Sequence, residues 1–129
     1  MTAVSNGGFN ALNDNLTNLS NKIGSKYTYV FTGGDKSYST NETIASVNVP
    51  AGVYVASFSP GYVTSAGTIS LSESTNTSKA VYVHYNTGFA SGTICAVIFL
   101  SQAGTITMTA LEAIAYQSSH SNLEIVQIA

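Results

Sequence analysis

The most apolar run of this 129-residue chain is Ile94-Cys95-Ala96-Val97-Ile98-Phe99-Leu100, and it indicates how the chain folds. Seven residues are too few for a membrane span, which needs about 20, but they match the length of a β-strand. Successive side chains of a strand point to opposite faces, so this strand is apolar on both. A hydrophobic core can cover one face, and the other needs a second cover.

Short β-branched and aromatic runs of this kind recur from Lys26 onward, separated by turn-forming clusters such as Gly33-Gly34-Asp35. They predict eight strands, with a further strand or a short bridge at Ala113–Gln117. The eight are Lys26–Thr32, Thr43–Val49, Gly52–Ser59, Gly67–Ser72, Lys79–Tyr85, Thr93–Leu100, Thr105–Leu111 and Leu123–Ile128. About eight strands in about 100 residues predict a mainly β fold, an antiparallel β-sandwich with the jelly roll as its leading topology.

The first 24 residues follow a helical pattern instead. Apolar side chains recur at the a/d spacing of a coiled coil, and Gly24 follows where a left-handed helix cap is expected. An Asn-rich helix of about 15 residues is marginal alone in water, so it must pack on something. Because the apolar stripe is narrow, we expect a short multi-stranded coiled coil; packing on its own domain is the alternative. The stripe comprises Phe9, Leu12, Leu16, Leu19 and Ile23.

These five residues do not decide between two and three strands in the coiled coil. The predicted organisation is a helical shaft segment over residues 1–24 and a β-sandwich head over residues 25–129.

Two other predicted strands, Lys79–Tyr85 and Leu123–Ile128, are also apolar on both faces. Since no helix-rich segment remains to cover them, we expect another subunit to do so; residues 1–24 or a long loop are the alternative. Tyr82 and His84 share a strand face and are placed at this contact between subunits. For His84, an ordinary partly buried histidine or a metal ligand on a three-fold axis are the alternatives.

Composition excludes several classes of function. Only 8% of residues are charged, against roughly 25% in ordinary soluble domains. The net charge of −2 predicts no basic surface that could bind the phosphates of a nucleic acid. No apolar run is long enough to insert into a membrane, and the single Cys95 excludes an internal disulfide. Cys95 is predicted to be a buried, unreactive core residue. No cofactor or metal site is expected within one subunit.

Catalysis is not expected either, because few titratable groups are available. The carboxylates closest in sequence are Asp35 and Glu42, which solvated turn positions explain better than a glycosidase pair does. The loops suggest binding instead, because they combine Tyr with Ser, Gly and Asn, as paratopes and sugar sites do. The candidate ligand-binding residues are Asp35, Tyr38, Asn41, Tyr62, Tyr116 and His120. Tyrosines that cap the ends of the sandwich are the alternative.

Three segments carry a resemblance to a known group of proteins: the heptad Phe9–Ile23, the phrase Val49-Pro50-Ala51-Gly52-Val53-Tyr54-Val55-Ala56-Ser57-Phe58, and the run Gly92–Leu100. A short heptad that leads into a compact β head resembles the distal ends of bacteriophage tail fibres. It is also similar to the trimeric jelly-roll heads of the tumour-necrosis-factor and complement-q superfamily. The chain lacks the cysteines and basic residues of many secreted animal members, which favours the viral branch.

The resemblance implies a homotrimeric receptor-binding head on a virion, at the tip of a tail fibre or similar appendage. Such a head attaches to a bacterial surface glycan or protein and performs no covalent chemistry. The alternatives are a purely structural virion or fibre-cap protein, a fibre tip that hydrolyses polysaccharide, and, more distantly, an animal-type signalling ligand. No family binding residue can be transferred, because no diagnostic motif fixes one.

Overall fold

The computed structural model describes residues 6–75, 80–89 and 92–129, and it shows a mainly β protein with an N-terminal helix. Helix α1 spans Asn6–Lys22. The strands are β1 (Lys26–Tyr29), β2 (Asp35–Tyr38), β3 (Thr43–Val49), β4 (Gly52–Ser59), β5 (Val63–Ser65), β6 (Gly67–Glu73), β7 (Ala80–Tyr85), β8 (Ile94–Leu100), β9 (Gly104–Ala110), β10 (Ile114–Gln117) and β11 (Asn122–Gln127). A 3-10 turn at Ser118–His120 precedes β11.

The strands form three antiparallel sheets. The first sheet has the order β1-β11-β4-β8, the second has the order β3-β9-β6-β7, and the third, smaller sheet has the order β2-β10-β5. Buried side chains from all three sheets form one core, for example Phe58 and Leu123 from the first, Met108 from the second and Tyr116 from the third. The two four-stranded sheets therefore enclose a common interior, as in a β-sandwich.

Most of the predicted strands are present. Strands β3 and β4 have the predicted bounds, and the segment Ala113–Gln117 contains strand β10. The first predicted strand ends at Tyr29 and not at Thr32, because β11 pairs with it only over Lys26–Tyr29. Strands β2 and β5 were not predicted. Lys79, the predicted start of the fifth strand, lies outside the described residues.

Helix α1 does not pack on its own domain. Every residue from Gly7 to Gly24 is exposed, so the predicted alternative of a helix packed on the head is wrong. Gly24 has a φ of 85°, the left-handed conformation that was expected at the helix end. Its N–H donates to the Gln127 carbonyl over 2.7 Å, which joins the end of the helix to β11. In the part of the chain that is described, no helix is long and apolar enough to cross a bilayer.

Strand β8 alternates strictly between buried and exposed residues. Ile94, Ile98 and Leu100 lie in the core, whereas Val97 is 71% exposed and Phe99 is 65% exposed on the opposite face. Cys95 shares the exposed face, so the prediction that it is a buried core thiol is wrong. The second cover that this strand needs is not supplied by the described residues of its own chain.

Candidate functional site

The outer surface of the first sheet carries a continuous apolar face. Strand register places Phe99 opposite Val53, Val97 opposite Val55, and Val55 opposite Val126. These five residues are called the apolar face below. Val53, Val55 and Val126 are half-buried by their neighbours, and the two β8 residues are exposed. Polar residues follow one row further along the sheet, where Ser57 lies opposite Cys95 and Glu124.

The apolar face continues around the edge of the sheet. Strand β8 is the last strand of the first sheet, and β7 is the last strand of the second. A groove of about 680 Å³ lies between these two edges, lined in part by Val81, Val97 and Phe99. A long apolar strand with an unpaired edge invites association unless something covers it. Within the described residues, this side of the head therefore has both an apolar surface and strand edges without a pairing partner.

Tyr82 and His84 are exposed on the outer surface of the second sheet, on edge strand β7. His84 Nδ1 lies 3.0 Å from Thr68 Oγ1 and 3.5 Å from Glu112 Oε1. The Thr68 hydroxyl also donates to the Glu112 carboxylate. This hydrogen bond, together with the neighbouring His84, lowers the pKa of Glu112 below its ordinary value. The cluster fixes the His84 ring against the sheet.

A second concave surface lies beyond the C-terminal end of β4. It has a volume of about 420 Å³ and is lined by Pro60, Gly61, Tyr62, Phe89, Gln117 and His120, and it is called the aromatic groove below. The Tyr62 and Phe89 rings meet edge to face with their centroids 5.1 Å apart. Phe89 is 85% exposed, the largest exposure among the bulky apolar side chains described. An aromatic ring left in water beside a groove is available to contact another molecule.

Close backbone packing shapes the floor of the aromatic groove. A Cβ at Gly61 would lie 2.4 Å from the Gln117 carbonyl oxygen and 3.0 Å from the His120 Cβ, so only glycine fits there. Ser121 Oγ accepts the Gly61 N–H over 3.1 Å and donates to the Gln117 carbonyl over 2.9 Å. The Gln117 N–H donates to the Tyr62 carbonyl over 2.9 Å. These bonds hold Tyr62 beside Gln117 and His120.

A separate bridge positions Phe89. Val63 and Gly88 exchange two backbone hydrogen bonds, each 2.8 Å long, and join two parts of the chain that are distant in sequence. Gly88 has a φ of 112°, a conformation that side-chain-bearing residues rarely adopt. Phe89 follows directly, and its ring reaches Tyr62. The aromatic pair is therefore held by backbone contacts from two loops.

Two of the predicted ligand-binding residues line this groove, and a third is the strand partner of another lining residue. Tyr62 and His120 line it. Asp35, the first residue of β2, lies directly opposite Gln117 in the β2–β10 ladder. Side chains of directly opposed residues lie on the same face of the sheet with their Cβ atoms about 5 Å apart, so Asp35 lies beside the lining residue Gln117.

The other three predicted ligand-binding residues lie elsewhere. Tyr116 is 0% exposed and belongs to β10, so its placement in an accessible binding loop is wrong. Its ring stacks on Tyr38 at 5.6 Å inside the head, and burial raises the pKa of Tyr116. Asn41 has a φ of 68° in the turn before β3, where its N–H donates to the Ala110 carbonyl, and it does not line the groove.

Phe89 and Gln117 were not predicted as site residues. No family model matches this sequence, and no curated protein matches it significantly. Among the described residues, no three His, Cys, Asp or Glu side chains lie close enough to hold a metal ion. Glu42, one of the two acids considered for hydrolysis, accepts the Ser39 N–H over 2.7 Å as part of a turn.

The helix and the aromatic groove lie at opposite ends of the first sheet. Helix α1 joins the sheet at Gln127, which pairs with Tyr54 near the start of β4. At the other end of the same ladder Asn122 pairs with Ser59, directly before the groove residue Pro60. At about 3.4 Å per residue, the two ends are about 17 Å apart.

Proposed function

We propose that this protein is the receptor-binding head of a phage tail fibre or similar appendage, acting as a homotrimer on the virion. The head attaches to a bacterial surface glycan or protein and performs no catalysis. One arrangement carries the proposal: the exposed helix enters the head at one end, and the aromatic groove lies at the other. This is the order expected of a stalk followed by a binding tip.

The strand pairing supports a jelly-roll head. The two four-stranded sheets together contain eight strands. In chain order, the first of these strands pairs with the last, the second with the second to last, and so on. The hydrogen-bonded pairs are β1 with β11, β3 with β9, β4 with β8, and β6 with β7. A long hairpin that is rolled into two sheets gives this nested pattern, as in the jelly roll. This pairing therefore supports the topology that the resemblance to trimeric heads implies.

Two uncovered apolar surfaces support association into a trimer. The a/d residues of α1 are exposed in the single chain, and a coiled coil of three copies would bury them. The apolar face of the first sheet would be buried between the heads in the same assembly. In this proposal Phe9, Leu12, Leu16, Leu19 and Ile23 contact their counterparts, and Tyr82 and His84 lie at the rim of the contact between heads.

Trimerisation would present three identical aromatic grooves at one end of the assembly. Binding at each groove can then be weak, because simultaneous engagement of several sites raises the overall affinity without new contacts. A tip that attaches to a repetitive cell surface gains most from this geometry.

Light scattering of the full chain at micromolar concentration tests the assembly. The expected mass is three times that of the 13.4 kDa chain, and a stable monomer would refute the proposal. Fluorescently labelled protein is then mixed with a panel of bacterial strains, and binding to at least one strain is expected. A trimer that binds no strain is a structural fibre-cap protein, and the attachment role is then wrong. Release of soluble sugar from the bound cells would indicate hydrolysis.

A further inference from the structure

We infer that the aromatic groove binds an uncharged sugar ring, with Phe89 and Tyr62 against the apolar face of the ring and Asp35 and Gln117 on its hydroxyl groups. The inference rests on the proposed attachment function and narrows its receptor from a glycan or protein to an uncharged glycan. It also assigns the site to particular residues.

The exposed aromatic pair favours a ligand with an apolar face. Phe89 is held with most of its ring in water by the Gly88 bridge, and Tyr62 supports it edge to face. A pyranose ring has one face of C–H groups that can cover an aromatic ring and remove it from water. A ligand that covers Phe89 in this way removes the ring from water, and the hydrophobic effect then stabilises the complex.

Hydrogen-bonding groups flank the aromatic pair. Within the described residues, the Gln117 side-chain amide and the His120 ring make no hydrogen bond, and both line the groove. Asp35 lies beside Gln117 through the β2–β10 register. A carboxylate accepts hydrogen bonds from hydroxyls, and an amide both donates and accepts, so this pair can satisfy neighbouring hydroxyls of a sugar. A purely apolar ligand would leave these groups unpaired.

Charge selects among sugars. None of the six lining residues carries a permanent charge, and the nearest ionised group identified by register is the Asp35 carboxylate. Lys36 points to the opposite face of its sheet, because it pairs with the buried Tyr116 and not with Gln117. An anionic sugar would meet a like charge with no permanent cation to balance it. An uncharged sugar avoids this penalty.

The size and construction of the groove fit such a ligand. Its volume of about 420 Å³ lies within the range of about 300–1,000 Å³ that is usual for small-molecule sites. Gly61 and the two Ser121 hydrogen bonds fix the floor without any ligand present. A preformed floor reduces the entropy that binding must overcome, so a single ring can be recognised with modest contacts.

The test uses the full ¹⁵N-labelled chain and a set of methyl glycosides. Methyl glucoside, galactoside, mannoside and N-acetylglucosaminide are titrated separately, with methyl glucuronide as the charged counterpart, and amide shifts are followed by NMR. At least one uncharged glycoside is expected to shift the amides of Gly61, Tyr62 and Gln117. We expect Phe89→Ala to weaken that glycoside about tenfold or more, and Asp35→Asn to weaken it several-fold. Val30→Ala, at an exposed residue outside the groove, should change nothing.

The remaining outcomes would overturn the inference. These are no shift at the groove with any glycoside, shifts confined to another surface, or methyl glucuronide binding as tightly as the uncharged sugars. Binding to whole cells distinguishes a wrong sugar inference from a wrong attachment role. If periodate oxidation of the cells leaves Phe89-dependent binding intact and protease removes it, the receptor is a protein and the sugar inference is wrong. In that case attachment and the trimer still hold.

Discussion

If the protein forms the proposed trimer, replacing Phe99 with threonine should disrupt that assembly without disrupting the head. Phe99 points away from the core on edge strand β8, and threonine keeps the strand preference of that position. A change at an exposed edge position normally alters folding stability by less than about 0.5 kcal/mol. The effect on association should be much larger, because a contact between heads would bury this ring.

The magnitude follows from the exposure of the ring. Phe99 is 65% exposed, and a phenylalanine side chain buries about 200 Å² when fully covered, so association can remove about 130 Å² from water. At about 25 cal/mol/Å² this is about 3 kcal/mol for each subunit and about 9 kcal/mol for a trimer. Each 1.4 kcal/mol is tenfold, so the trimerisation constant falls by about six orders of magnitude. The midpoint concentration varies with the square root of that constant and rises about a thousandfold.

Sedimentation velocity across a dilution series measures this midpoint directly. Val30→Thr is the matched control, because Val30 is 76% exposed but lies outside the apolar face. The control should assemble like the wild type, whereas Phe99→Thr should dissociate at concentrations where the wild type stays whole. If Phe99→Thr assembles at the same concentration as the control, the apolar face is not the contact and the reasoning fails.

Three other perturbations test separate features. Replacing Leu12 and Leu16 with serine should remove the helical circular-dichroism signal and leave the thermal transition of the head unchanged, since α1 does not pack on the head. Glu112→Gln should lower the melting temperature at neutral pH. Folding lowers the pKa of Glu112, so the stability that its carboxylate contributes is present above its ordinary pKa of 4.5 and is lost as the pH falls through the lowered value. The difference in melting temperature between Glu112→Gln and the wild type should therefore vanish in acid. A difference that stays constant with pH would contradict this. Ser121→Ala should lower the free energy of unfolding measured in urea by about 1–3 kcal/mol, because two hydrogen bonds are lost. Ser118→Ala should be neutral or stabilising, because the buried Ser118 hydroxyl has no hydrogen-bond partner among the described residues.

Local sequence patterns were sufficient for much of the fold. The alternation in β3 and β4 gave their bounds, and the heptad with Gly24 gave the helix and its cap. Strands β2 and β5 were missed because three or four residues are too few to display a period of two. The sequence also could not show which face of β8 met the core, and this choice placed Cys95 outside.

The candidate site was less predictable, because it is assembled from distant segments. The residue types of Tyr62 and His120 predict a binding role, but their proximity depends on Gly61 fitting against Gln117. Phe89 depends on the Val63–Gly88 bridge, which joins two loops that share no local pattern. The one sequence signal for it was an aromatic residue directly after a turn glycine. Tyr116 was misplaced because its strand neighbours were not known, and the core took its ring.

The junction between α1 and the first sheet has a mechanical consequence. The helix continues into β1, which runs from Lys26 towards the groove end and pairs along its length with β11, which in turn pairs with β4. In the proposed fibre, tension between the bound head and the helical stalk would pull these strands past one another lengthwise. The hydrogen bonds between the strands are perpendicular to that direction. They are therefore loaded together in shear and do not break one after another. The head is thus oriented to resist pulling along the strands better than peeling of an edge strand.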